Sequence, residues 1–291
     1  MTREEIVRGA REAIQQGSKS FRAASRLFDP LTRERAWLLY SWCRYCDDVA
    51  DGQTFGFGRG VRGNVGVLRG KTRRAVAGEA LPELPFRALT QVLSECPIPM
   101  RFIEDHLRGF SLDEAEWRPK TTEELNRYCY YVAGTVGCMM AVVMGVPKDD
   151  EDTLERAAEL GVAFQLSNIA RDIREDSEAG RCYLPLTWLA EFGIDQSALL
   201  EPHNRTALTQ MVHRLVDSAI AHEDSARRGI AKLPFRSRLA VLTALRIYGA
   251  IGRRVVKLGP TAWDRRVSIG KVRKLTFLAP SLVEALVPLR R

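Results

Sequence analysis

Residues 160–176 read Leu160-Gly-Val-Ala-Phe-Gln165-Leu-Ser-Asn168-Ile-Ala-Arg171-Asp172-Ile-Arg-Glu175-Asp176. Gln165, Asn168, Asp172 and Asp176 are separated by three, four and four positions, a spacing that stacks them along one face of an α-helix. That face is amide and carboxylate throughout. Leu160, Phe164, Ile169 and Ile173 are read as the opposite, apolar faces of the same helix. A polar stripe on an otherwise apolar helix argues against a merely solvated surface. Arg174 and Glu175 are assigned to the outer side of the turn and left outside the site.

A second acidic stretch repeats this logic. In Cys46-Asp47-Asp48-Val49-Ala50-Asp51, Asp47 and Asp51 are i and i+4 on one helical face. Like charges at that spacing cost roughly 0.2–0.5 kcal/mol when exposed. The cost rises on partial burial, which Trp37-Leu38-Leu39-Tyr40 and Val49-Ala50 suggest. Alone, this motif could be a solvated acidic turn. Two such motifs point to helices that face each other across a cationic centre. Hard oxygen ligands of this kind suit Mg²⁺, with Mn²⁺ as the alternative, completed by waters and substrate phosphate. Removing one carboxylate is expected to relieve repulsion in the metal-free protein. Arg44, Arg171 and Arg181 lie nearby in sequence, and guanidinium forks match phosphate oxygens.

Helical signals dominate the rest of the chain. Helices are expected over 3–16, 32–50 with Thr32 as N-cap, 86–95 and 99–112. Further helices are expected from Thr121 to Met144, from Asp149 to about Asp176, and over 204–229, 234–258 and 269–287. The stretch 52–70 holds seven glycines and reads as a loop. No alternating strand series, internal repeat or Pro/Ser-rich linker is visible, so residues 1–291 read as one all-α domain. Tyr128–Val146 carries no charge over 19 residues, long enough to cross a bilayer. Gly134, Gly137 and Gly145 interrupt it, and the preferred reading is the buried central helix of a bundle.

The chain has 291 residues, 45% of them hydrophobic and 27% charged, an ordinary globular balance that excludes a disordered chain. Its net charge of +8 favours anionic partners: nucleic acid, lipid headgroups or phosphorylated substrates. The arginines are scattered and no DNA-binding motif is present, so nucleic acid is not expected. The six cysteines read as structural thiols, since Cys43-Arg-Tyr-Cys46 has no second pair at zinc spacing. Gly58-Arg-Gly60-Val-Arg-Gly63 matches GxGxxG but follows no strand and is rejected as a dinucleotide site. His213 and His222 are read as solvent-facing. The chain opens Met-Thr-Arg-Glu-Glu without an apolar leader, which predicts a cytoplasmic protein with peripheral contact to anionic membrane.

These motifs resemble the squalene/phytoene synthase family, in its bacterial carotenoid-pathway branch. Gly17-Ser18-Lys19-Ser20-Phe21 is similar to its N-terminal signature. Trp42 through Asp51 is similar to its first DxxxD, and Tyr128 through Gly137 to its central apolar helix. Asn168 through Pro185 resembles its second DxxxD and the segment after it. The likeness runs from about Gly17 to Phe277. It implies an isoprenoid-synthase-type helical bundle around a central cavity. It also implies condensation of two geranylgeranyl diphosphates, through prephytoene diphosphate, to phytoene. By the same resemblance Asp47, Asp51, Asp172, Asp176 and Asn168 are expected to bind metal. Ser18, Lys19, Ser20, Arg44, Arg171, Tyr248 and Arg265 are expected to hold diphosphate. Gln165 and Tyr128 are expected to line the cavity, with Phe21, Tyr40 and Tyr128 facing a carbocation. No NADPH is expected, because no nicotinamide signature is visible. A farnesyl diphosphate-using dehydrosqualene, squalene or hydroxysqualene synthase is the rival enzyme. A non-catalytic assembly factor is the rival of another class, and the intact aspartates argue against it. The glycine-rich stretch after the first motif does not resemble the family's usual connector.

Overall fold

The computed structural model describes residues 1–52 and 63–287, with the side chains of Lys19, Ser20 and Asp51 outside the description. Most of the GxGxxG match and most of the glycine-rich stretch therefore lie outside it. The described residues form helices and no strands. In chain order these are α1 (Arg3–Gly17), α2 (Lys19–Ser25), α3 (Pro30–Asp51), α4 (Val65–Val76), α5 (Leu84–Glu95), α6 (Met100–Glu114) and α7 (Thr122–Cys129). After a π turn at Tyr130–Gly134 come α8 (Thr135–Val143), α9 (Glu151–Glu178), α10 (Leu186–Glu191), α11 (Arg205–Ile230), α12 (Phe235–Leu258), α13 (Lys271–Thr276) and α14 (Leu278–Leu286).

Local chemistry sets the boundaries. Thr2 and Glu5 form a reciprocal capping box on α1. The N-cap of α3 is Asp29, not Thr32: its carboxylate accepts from the Thr32 N–H at 3.0 Å, and Pro30 opens the first turn. Asn64 caps α4 in the same way, so the glycine-rich loop ends six residues earlier than its composition implies. Asp150 caps α9. Two short helices, α2 and α10, carry no periodicity signal long enough to find by sequence.

Among the described residues two large apolar cores flank the centre, and a smaller cluster lies under α14. One gathers α1, α3, α5, α6 and α8 around Trp42, Phe86 and Leu89. The other gathers α7, α9, α11 and α12 around Leu166, Leu215 and Trp263. Tyr130, in the π turn, packs against both. The uncharged segment 128–146 thus runs through the middle of the bundle, and no described helix is long and apolar enough to cross a membrane. Gly134 and Gly137 within it serve close packing. A Cβ on Gly137 would lie 2.2 Å from the Ala157 carbonyl oxygen of α9. One on Gly161 would lie 2.2 Å from that of Ala133. The bared backbones let α8 and α9 approach as no larger side chain allows.

Candidate functional site

Between the cores lies a cavity of about 400 Å³. Small and apolar residues of α2, α3, α8, α9 and α12 build most of its wall, among them Phe21, Leu39, Val136, Met140, Leu160 and Ala244. Its polar lining includes Ser18, Tyr40, Arg44, Asp47, Gln165, Asn168 and Tyr248. Leu160 and Phe164 line it together with Gln165 and Asn168, so they share the polar stripe's face instead of opposing it. Steps of four from Leu160 to Phe164 to Asn168 put all three on one side of α9.

Aromatic pairs stand at the polar part of the wall. Phe21 stacks on Tyr40 with centroids 5.4 Å apart, and Phe164 stacks on Tyr248 at 4.2 Å. Burial pushes the Tyr248 phenol up, against the opposing pull of Arg171 and a hydrogen bond with Ser18. Burial does the same to Tyr40, whose hydroxyl is buried without a hydrogen-bond partner. Both phenols are therefore neutral donors at physiological pH. The Asn168 carbonyl oxygen is buried and equally without a partner. A buried orphan acceptor in a polar cleft is an unfilled coordination or hydrogen-bond site.

Arg44 and Asp172 set the electrostatics. Arg44 lies 2.7 Å from Asp48 and 3.5 Å from Asp47. Burial disfavours its charge, and the two carboxylates more than restore it. Asp172 interrupts α9 with non-helical torsions, φ −97° and ψ 15°. The stripe predicted as regular therefore bends at this carboxylate. Two guanidinium forks hold Asp172, one from Arg171 and one from Arg266, the latter at 2.9 and 3.1 Å. Burial alone would raise its carboxyl; the two arginines hold it below the ordinary carboxylate range. Among the described residues no three His, Cys, Asp or Glu side chains converge as a metal site.

The model of the family described as squalene/phytoene synthase matches residues 14–273. The chain belongs to that family. A 15-cis-phytoene synthase of Enterobacter agglomerans is 45% identical over 278 residues, covering 94% of this chain and 93% of its own. One from Pantoea ananas is 44% identical, covering 98% and 94%. A crystal structure of a dehydrosqualene synthase in complex with ligand superposes with a TM-score of 0.85 at 26% identity, covering 96% of each chain.

Within this squalene/phytoene synthase chain Arg265 and Arg266 are both exposed, and Arg266 is the one that reaches Asp172. Trp263 fixes that register: its indole N–H donates to the Ala170 carbonyl at 3.0 Å, and Arg174 reaches back to the Trp263 carbonyl. Arg174 is therefore a clamp on the chain after α12, and Glu175 lies 3.6 Å from Arg266. Tyr128 does not line the cavity. It is buried between Trp117 and Tyr183 at 5.7 and 5.0 Å, and donates to Asp113 at 3.0 Å. Tyr183 donates to the same carboxylate at 3.0 Å. The Trp117–Tyr128–Tyr183–Asp113 cluster ties α6 and α7 to the segment after α9, and no sequence periodicity marked it. His222 is half-buried against Glu159 rather than solvent-facing, while His213 is exposed. The six cysteines are free, five of them buried.

Proposed function

We propose that this protein condenses two geranylgeranyl diphosphates through prephytoene diphosphate to phytoene, releasing diphosphate, as the first committed step of carotenoid biosynthesis. The observation that carries the reading is an apolar, aromatic-lined chamber joined to a cluster of arginine, aspartate and amide side chains. The near full-length likeness to bacterial phytoene synthases supports the twenty-carbon substrate.

Ionisation breaks the allylic carbon–oxygen bond, and charge develops on the leaving diphosphate. In this reading Arg44, Arg171 and Arg266 stabilise it. The double bond of the second substrate attacks the allylic cation, and loss of a proton to the released diphosphate closes the cyclopropane. A second ionisation releases the other diphosphate, and rearrangement with proton loss to it completes the product. Phe21 and Tyr40 offer ring faces to the cations, and the apolar wall excludes water that would quench them.

Asp47, Asp51, Asp172, Asp176 and Asn168 are the residues that would hold Mg²⁺. The orphaned Asn168 oxygen and the all-oxygen donor set fit a hard cation. When bound, Mg²⁺ neutralises charge on the departing diphosphate. In the metal-free protein Arg171 and Arg266 take that neutralising role at Asp172, and the arriving diphosphate competes for both forks.

Incubating the protein with Mg²⁺ and either geranylgeranyl or farnesyl diphosphate, with and without NADPH, tests the proposal by product analysis. Phytoene formed without NADPH is expected. A C30 product made from farnesyl diphosphate at higher kcat/KM would overturn the chain length, and a strict NADPH requirement the mechanism.

A further inference from the structure

We infer that the outer face of α13 and α14 is the surface by which this protein docks on an anionic lipid bilayer. Exposed large apolar side chains concentrate there. Val272 is 77% exposed, Leu275 64%, Val283 66% and Leu286 64%, with Leu282 at 42%. Five such residues within fifteen positions of two consecutive helices make a patch of the kind that marks an interaction site.

The opposite side of α14 is firmly held. Ser281 and Ala285 are buried, and Ala285 packs with Leu242 and Leu245 of α12. Arg246 donates to the Ser281 hydroxyl at 3.2 Å and also reaches Glu284. Arg238 donates to the Ala285 carbonyl. The helix is thus amphipathic, with its inner side already satisfied and its apolar outer side uncovered.

Charge selects the partner. Residues 271–287 contain Lys271, Arg273 and Lys274 against one acid, Glu284. Glu284 is turned inward between Arg227 and Arg246, whose hydrogen bonds outweigh burial and keep its carboxyl ionised. Lys271 and Arg273 are exposed beside the apolar side chains. An apolar face rimmed by cations is the chemistry of a helix lying at the boundary of headgroup and acyl chain. A protein partner of basic surface would be repelled by the same rim.

The patch also lies where docking has a use. Tyr248 and Val241 of α12 line the cavity, while Leu242 and Leu245 of the same helix hold α14. One helix layer therefore separates the patch from the chamber. Val267 and Ile269 connect α13 to Arg266 at Asp172. A bilayer against α13 and α14 would bring a lipid-soluble substrate close to the chamber. This inference deepens the proposed function, but its binding test needs no substrate, so the two can fail separately.

The test is co-sedimentation of the full-length protein with vesicles of phosphatidylcholine alone or with phosphatidylglycerol. Binding to the anionic vesicles, weakened by high salt, is expected. Val283→Asp with Leu286→Asp, and separately Lys271→Glu with Arg273→Glu, should each lower partitioning at least about tenfold. Val67→Asp, an exposed control on α4, should leave it unchanged. Unaltered circular dichroism identifies folded variants, and the Lys271/Arg273 pair is a second route that leaves the apolar face intact. Failure of the wild type to bind either vesicle, or equal loss in the Val67→Asp control, overturns the inference. It is also overturned if the Val283/Leu286 variant turns a dimer into a monomer with vesicle binding unchanged, since the face then joins two copies of this chain.

Discussion

Arg266 closes a bidentate fork on Asp172 across ninety-four positions of sequence, at 2.9 and 3.1 Å. Arg171 holds the same carboxylate from the adjacent position. Two arginines compensate this carboxylate, and Arg266 also lies 3.6 Å from Glu175; both guanidinium forks match the oxygens of an incoming diphosphate. The fork also draws the segment after α12 onto α9, so the charge cluster and the fold depend on the same contact.

Arg266 and Arg265 are therefore expected to differ sharply. Arg266→Gln should lower kcat/KM by about 100-fold, as the loss of one aimed charge donor does elsewhere. Both side chains are exposed, but among the described residues only Arg266 of the two pairs with Asp172, so Arg265→Gln should stay within about threefold of wild type. Steady-state kinetics of the two variants side by side decides it. Equal effects, or the reverse order, would remove Arg266 from the diphosphate site.

Asp172→Asn tests the carboxylate itself. It should abolish most turnover, together with Asp47→Asn, Asp51→Asn and Asp176→Asn, whereas Glu175→Gln should be mild. Sequence reasoning expects removal of a carboxylate to relieve repulsion, but Asp172 already balances two guanidinium groups. Asp172→Asn should therefore destabilise the metal-free protein by about 1–3 kcal/mol, read as a lower denaturation midpoint. Asp47→Asn should change it far less, because the Asp47 side chain is half-exposed and Arg44 retains Asp48. Full activity in excess chelator would sink the metal reading for all four aspartates.

The aspartate spacing was legible because a helix converts steps of three and four into one face. Arg266 was not, because its register depends on Trp263 docking under Ala170, a contact made across a turn with no periodicity. The same reason hid the Tyr128–Asp113–Tyr183 cluster: Tyr128 belongs to the apolar helix by sequence, but its partners come from α6 and from the chain after α9. Phe164 was misplaced for a subtler reason. It is apolar, and an apolar residue beside an amide stripe reads as core, yet this cavity wall is itself apolar.

The α8–α9 crossing gives a prediction about packing. Gly137→Ala pushes a methyl into the Ala157 backbone of α9, and Gly161→Ala one into the Ala133 backbone of the π turn leading into α8, at 2.2 Å in both cases. Backbone cannot rotate away as a side chain can, so the helices must separate. Each variant should lose about 2–3 kcal/mol of stability. Gly70→Ala, on α4 with open space around its Cβ position, should be neutral or stabilising. Urea denaturation of the three variants checks the ranking.

His106 gives a pH dependence whose sign can be worked out. Its ring is 1% exposed and packs between Trp42 and Phe110, with centroids 5.4 and 4.8 Å away. Nδ1 lies 3.2 Å from the Tyr131 carbonyl, which can only accept, so Nδ1 carries the proton of the neutral ring. Thr135 Oγ1 donates to that same carbonyl at 2.7 Å and lies 3.3 Å from Nδ1. Nε2 is buried without a partner, so a second proton would have no acceptor. Burial pushes the imidazole down from 6.5 to about 4, with the Tyr131 carbonyl opposing. The unfolded chain therefore binds a proton more readily than the fold between those two values. Stability contributed by the neutral ring is complete above pH 6.5, declines as pH falls below it, and levels off near pH 4. From about pH 7 to about pH 4.5 this group should account for a loss on the order of 2–3 kcal/mol. His106→Gln keeps a donor for Tyr131 and cannot titrate, so its stability should fall less steeply over that range. The measurement is denaturation midpoint against pH for both proteins, and parallel curves would show that His106 is not the group responsible.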